Sequence, residues 1–237
     1  KAITPKQAND MGDRMILFPQ AYSPLIKDDD IKAKIVQYAS TYNIVVIVPS
    51  EYRAKYWSDT TTNIFSAINI KTGVELIKRS NNGLYIFINK YDGIDLPDNA
   101  CRIIVLDGLP DARTAIERVN ESYLQGSDNA AKNKIQKIEQ GMGRGIRSSN
   151  DFCGVIIMGA QLIQIIYSPK SQSFFSPATR KQFEVSSMLA QDLKDKSIDE
   201  IFGVLDYCIT QNPEWVKLSK GALSNLNYEK DLKIDPI

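Results

Sequence analysis

The chain has 237 residues, 43% hydrophobic and 24% charged, which places it with ordinary globular domains and far from disordered, collagen-like or coiled-coil sequences. With 29 Lys+Arg against 28 Asp+Glu, the formal charge of +1 argues against a surface built to coat polyanions, although a local basic patch fits within it. It contains no His, which excludes His-based triads, His general bases and His-ligated zinc.

Three cysteines, Cys101, Cys153 and Cys208, are odd in number and widely spaced. They read as buried small hydrophobes in a reducing, cytoplasmic setting rather than as a disulfide framework or a metal site. No apolar run approaches membrane-spanning length, and the N-terminus lacks the order of a signal peptide. The chain begins at Lys1 rather than Met, which suggests a piece of something longer.

In chain order, Met15–Phe18 is a strand candidate. Asp28, Asp29 and Asp30 favour the N-terminus of a helix whose apolar stripe is Ile31, Ile35, Val36 and Ala39. Ile44–Val48 is a continuous apolar run, as expected of a strand covered on both faces. Pro49-Ser50 ends it, and Glu51–Trp57 starts the next helix. Asn63–Arg79 reads as helical, with a break at Lys71-Thr72-Gly73. Leu84–Ile88, Ile103–Leu106 and Val155–Met158 are further buried-type strands, with helices expected over Ala112–Leu124 and Asn129–Glu139 between the last two. This alternation predicts an α/β fold, a doubly wound, mostly parallel sheet whose ligands meet the loops at the carboxyl ends of its strands.

Past Tyr167 the character changes. Ser168–Ser176 is a polar loop, and Ser176-Pro177 pairs an N-cap with proline at the first helical position. Helices are expected over Ala178–Leu193, Ile198–Thr210 and Glu214–Leu223, giving a C-terminal helical extension. The chain therefore divides into an α/β unit over 1–169 and the extension over 170–237.

Two loops carry chemistry. Asn89–Pro97 follows a strand and brackets Gly93 with Asp92 and Asp95; a glycine there lets backbone approach a ligand closely, while an ordinary turn is the plainer alternative. Gln140-Gly141-Met142-Gly143-Arg144-Gly145-Ile146-Arg147 ends a basic helix of local charge +4. Gln140, Arg144 and Arg147 are spaced four then three, so a helical turn aligns them, and two guanidiniums on one face make a fork for phosphate oxygens. Three glycines within five residues suit a plain solvated helix end badly, because they cost helix stability without a packing benefit. The run is not G-x-G-x-x-G, and the chain has no G-x-x-x-x-G-K-[ST] to cradle phosphates.

Gln140–Arg147 resembles motif VI, Q-x-x-G-R-x-x-R, of superfamily 2 helicases, and with Asp151-Phe152-Cys153-Gly154 after it is most like the DinG and XPD branch. Tyr91–Pro97, with Cys101-Arg102 and Gly108-Leu109-Pro110, resembles motif V of that branch, and Ile47-Val48-Pro49-Ser50 resembles motif IV. The three occur in family order across Ile44–Gly159. The resemblance implies a second RecA-like domain, the motor half without the Walker A or Asp-Glu box. ATP and Mg2+ would then sit on an N-terminal RecA-like domain, with a DNA or RNA single strand gripped across both. By position it implies Arg147 as arginine finger and Arg144 beside it on the phosphates, with Gln140, Gly143, Gly93, Asp95 and Asp92 facing ATP. Pro49 and Ser50 would face the nucleic-acid backbone. Asp92 departs from the pattern, which usually has Glu there. No metal ligand is assigned to this chain. The alternative reading is a non-catalytic nucleic-acid clamp built on a degenerate motor domain.

Overall fold

A computed structural model describes residues 12–96, 98–110, 119, 127–146 and 150–224. Among these, six strands form a single sheet: β1 (Asp13–Leu17), β2 (Asn43–Val48), β3 (Ile64–Phe65), β4 (Gly83–Ile88), β5 (Ile103–Asp107) and β6 (Phe152–Met158). Their order is β1-β6-β5-β2-β4-β3, and every pairing is parallel. The expected mostly parallel sheet is thus wholly parallel. Each residue of β1, β2 and β5 is buried, so both faces of the sheet are covered there. That is why Met15–Leu17, Ile44–Val48 and Ile103–Leu106 are apolar without alternation, with the buried polar residues Asp13, Arg14, Asn43 and Asp107 confined to the strand ends.

Ten α-helices complete the described fold: α1 (Pro19–Tyr22), α2 (Asp28–Tyr38), α3 (Glu51–Lys55), α4 (Ile70–Arg79), α5 (Asp128–Met142), α6 (Ala160–Tyr167), α7 (Pro169–Gln172), α8 (Pro177–Asp192), α9 (Ile198–Ile209) and α10 (Pro213–Ser224). The first turn of α2 carries Asp28, Asp29 and Asp30, and its buried side chains are Ile31 and Ile35. Val36, expected in that stripe, is 39% exposed, because the helix presents a narrow face to the core. The helix expected over Ala112–Leu124 lies outside the described residues apart from Val119.

The segment 63–79 differs from expectation. Its first part is the edge strand β3, and Lys71, Thr72 and Gly73 lie inside α4 rather than at a break. Gly73 is there for packing: a β-carbon would come within 2.6 Å of the Phe65 ring, so only glycine lets α4 sit against β3. The expected loop over Ser168–Ser176 also contains a short helix, α7.

Helices α8, α9 and α10 pack on β1, and α9 also reaches β6. The approach of α9 is close enough that a β-carbon on Gly154 would meet Leu205 Cδ1 at 2.3 Å. Phe202, Leu205 and Ile209 of α9 join the same core as Ile16 and Val155 of the sheet. As expected of the Ser176-Pro177 pair, Ser176 caps α8, its hydroxyl accepting the N–H of Thr179.

Candidate functional site

The parallel register aligns the carboxyl ends of β2, β4, β5 and β6 along one edge: Val48 lies beside Ile88, Ile47 beside Leu106, and Asp107 beside Met158. Pro49 and Ser50 leave β2 at this edge. Ser50 is the N-cap of α3, its Oγ accepting the Arg53 N–H at 3.2 Å. Gly108 leaves β5 beside them with φ +109°, and a β-carbon there would stand 3.0 Å from Pro49 Cγ. The two loops therefore run in contact.

The loop after β4 begins with Asn89, whose N–H donates to Val48 O at 2.6 Å. Tyr91 is buried, and its hydroxyl donates to Gly108 O at 3.0 Å. Ile94 and Leu96 are buried as well, whereas Asp92 and Gly93 are exposed. Gly93 has φ +70°, and a β-carbon added to it would meet nothing within 4 Å. The apolar residues thus pin the loop to the core, and the left-handed glycine turns Asp92 outward.

Helix α5 ends at Met142, with Gly143 as its C-cap, whose N–H is shared by Glu139 O and Gln140 O, each at 3.1 Å. Arg144 then folds back over this end. Its Nε donates to Gln140 O at 2.8 Å and its Nη1 to Ile94 O at 2.7 Å, and its own carbonyl accepts the Leu96 N–H at 3.3 Å. Burial lowers the pKa of the guanidinium, and the carboxylates of Asp92 and then Asp95 oppose that shift. Gln140 is exposed. The structure therefore brings together Gln140, Gly143, Arg144 and the Asp92–Asp95 loop. Arg147 lies outside the described residues, as does Pro97.

The glycines need a correction. Two of the three do have a packing benefit: a β-carbon on Gly141 would meet Tyr91 Cδ1 at 2.9 Å, and one on Gly145 would meet Cys153 Sγ at 2.7 Å. Only Gly143 of the three has open surroundings, its nearest neighbours being carbonyl oxygens at 3.5 Å. Cys101, Cys153 and Cys208 are free thiols, all buried.

One cluster at this edge escaped the sequence. Asp107, 1% exposed at the end of β5, accepts from Arg53 Nε at 2.8 Å and from Trp57 Nε1 at 2.8 Å. Burial raises its pKa, with the hydrogen bonds from Arg53 and Trp57 acting against that. Arg53 also pairs with Asp28, which accepts from Gln20 Nε2 at 2.8 Å, while Gln20 Oε1 accepts the Gly159 N–H at 2.8 Å. The network ties the chain leaving β1, β2, β5 and β6 into one ledge. Its only sequence signal was an aspartate closing an apolar strand, which reads equally well as the start of a turn.

Among the described residues, no group of three or more His, Cys, Asp or Glu could hold a metal ion, and no helix is long and apolar enough to cross a membrane.

The model of a protein family described as the helicase C-terminal domain matches residues 44–177. This stretch runs from β2 to the first residue of α8 and includes the loops after β2, β4 and β5 and the end of α5, while Gln20 and Asp28 of the ledge precede it. A solved structure titled XPD helicase is similar at 16% identity and a TM-score of 0.46, covering 69% of this chain and 34% of its own. The chain spans about a third of the length of that protein. No curated protein matches.

Proposed function

The chain belongs to the helicase C-terminal domain family, and on that premise we propose that it is the second, RecA-like motor half of an ATP-dependent nucleic-acid helicase or translocase. The observation that carries this reading is the junction made by Arg144. Through Ile94 O and the Leu96 N–H it joins the end of α5 to the loop after β4, so that two stretches resembling helicase motifs form one wall at the carboxyl edge. That wall offers Gln140, Gly143, Gly93, Asp95 and Asp92 to a nucleotide held on an opposing N-terminal RecA-like domain, in cis or as a partner. ATP and Mg2+ belong mainly to that domain.

In this scheme Arg147 is the arginine finger. It adds positive charge to the transferring phosphoryl group only when the two domains close, so that hydrolysis follows domain motion. Pro49 and Ser50 lie on the ledge stiffened by Arg53 and Asp107 and face the backbone of a DNA or RNA single strand. Contacts to phosphates make binding poorly sequence-specific and salt-sensitive. Residues 1–169 form the motor unit and 170–237 its helical extension. Three buried cysteines, none in a disulfide, favour a reducing cytoplasm.

The test is strand-stimulated ATPase of the protein together with its ATP-holding domain. Arg147→Ala is expected to lower turnover by roughly 10³–10⁵-fold, the usual worth of a finger arginine. Near-normal turnover in that variant would overturn the assignment.

A further inference from the structure

Helix α5, which delivers Gln140 and Arg144, is held at both ends by the C-terminal segment. At its start, Asp128 pairs with Lys170 of α7 at 2.6 Å, an exposed contact. At its last turn, Glu139 meets the N-terminus of α8: its carboxylate accepts the Ser176 hydroxyl at 2.5 Å and the Ser176 N–H at 3.1 Å. The same Ser176 hydroxyl accepts the Thr179 N–H at 3.2 Å, so one side chain caps α8 and carries the bond to α5.

The contact continues inward. Arg14 of β1 is buried, donating through Nη2 to Thr179 Oγ1 at 2.8 Å and through Nε to Gln182 Oε1 at 2.7 Å. These partners are neutral. The negative charge that acts on Arg14 to keep it ionised, against the burial that pushes its pKa down to about 10, is foremost Glu139. Glu139 thus faces a desolvated cation across the cap of α8. Its backbone meanwhile closes the functional end of α5, because its carbonyl accepts the Gly143 N–H.

We propose that Glu139 and Ser176 are positioning residues, a latch through which the C-terminal helices set the place of the Gln140–Arg144 wall and hence the rate of turnover. The turnover part rests on the function proposed above. The mechanical part rests on geometry alone: the Glu139 side chain is fixed by α8, and its main chain is one residue from the carbonyl that takes Arg144 Nε. Binding events on α8 would thereby reach the ATP-facing wall without a contact of their own to it.

Two measurements on Ser176→Ala test this, with Glu139→Gln as the milder second variant should the first fail to fold. Amide exchange on the chain should accelerate about tenfold at Gly143, Arg144 and Leu96, the equilibrium equivalent of losing one charge-assisted hydrogen bond, while β5 amides stay unchanged. Steady-state ATPase of the protein with its ATP-holding domain, counted per strand-binding molecule, should show kcat lowered several-fold with KM for ATP unchanged. Ser176→Thr, which keeps the hydroxyl, should restore both readouts. Acceleration spread evenly over the sheet, or confined to α8, would overturn the latch, and local acceleration with unchanged kcat would overturn its part in turnover. A wild-type protein without strand-stimulated ATPase would instead overturn the proposed function and the turnover part with it. The exchange result would still decide the mechanical part.

Discussion

Gly141→Ala tests whether the wall at the carboxyl edge is held by close packing. The added methyl would lie 2.9 Å from Tyr91 Cδ1 and 3.3 Å from Leu106 Cδ2. Carbon atoms prefer about 3.5–4.0 Å, so the tyrosine ring must retreat by roughly half an ångström or more. It has little room, being 2% exposed with its hydroxyl on Gly108 O at 3.0 Å. Overpacking of this kind costs about 1–3 kcal/mol, and replacing a helical glycine by alanine returns about 1 kcal/mol. The net expectation is a loss of about 1 kcal/mol, which lowers Tm by about 2–4 °C in a chain of this size. Gly143→Ala is the matched control: its nearest neighbours stand at 3.5 Å and its φ is −88°, so its stability should change by less than about 0.5 kcal/mol. Urea unfolding with m-values compared across all three proteins reads both effects. A Gly141→Ala variant as stable as wild type or more so would refute the packing argument. So would equal effects at the two positions.

Arg53→Met should strand Asp107 in the core. Breaking a buried pair costs about 3–5 kcal/mol, and because Arg53 is 27% exposed while Trp57 remains on the carboxylate, about 2–3 kcal/mol is expected by chemical denaturation. The sign of its pH dependence is fixed by burial, which raises the Asp107 pKa in the fold. Protonation then favours the folded state, so the defect should shrink as pH falls through the raised carboxyl pKa, and a defect that grows on acidification would contradict this. Glu200 behaves oppositely: hydrogen bonds from the Ser197 N–H, Lys196 and the Ser197 hydroxyl hold its pKa down to about 2. The cap of α9 should therefore be fully present above the ordinary glutamate range and weaken toward pH 2, and Glu200→Gln should flatten that part of a pH–stability curve.

Legibility in the sequence followed physical cause. β2, β4, β5 and β6 were readable because a strand covered on both faces must be an unbroken apolar run. β3 was not, since two residues carry no periodicity and the window around Ile64-Phe65 matched a helix. Helix α6 was missed for a related reason: Ala160–Tyr167 follows β6 after Gly159 alone, and a short apolar stretch there cannot be told from more strand. The candidate site was legible as an order of motifs but not as contacts. Ile94 and Arg144 are 50 residues apart, Arg53 and Asp107 are 54 apart, and Glu139 and Ser176 are 37 apart. No local pattern announces such pairs, and in each case one partner has a plausible local role as a turn residue, a helix surface charge or a cap.

From composition and spacing, Arg144 and Arg147 looked like two equal tines of a phosphate fork. The structure gives Arg144 a fixed place of its own. It puts Nε and Nη1 on two backbone carbonyls from different segments, which sets its guanidinium before any ligand arrives. A group held in this way is suited to stabilising charge that comes to it, and its removal must also loosen the loop after β4. Replacing it with Ala should cost about 1–3 kcal/mol for two hydrogen bonds from a half-buried charged donor, and Lys should rescue little because one ammonium cannot span both carbonyls. A finger has the opposite requirement, since its contribution depends on reaching the phosphates only in the closed state. On the proposed function, Arg147→Ala is expected to lose turnover, whereas Arg144→Ala is expected to lose stability as well as turnover. Unfolding curves and ATPase rates on the two variants check this, and an Arg144→Ala protein as stable as wild type would contradict the fixed place of that guanidinium.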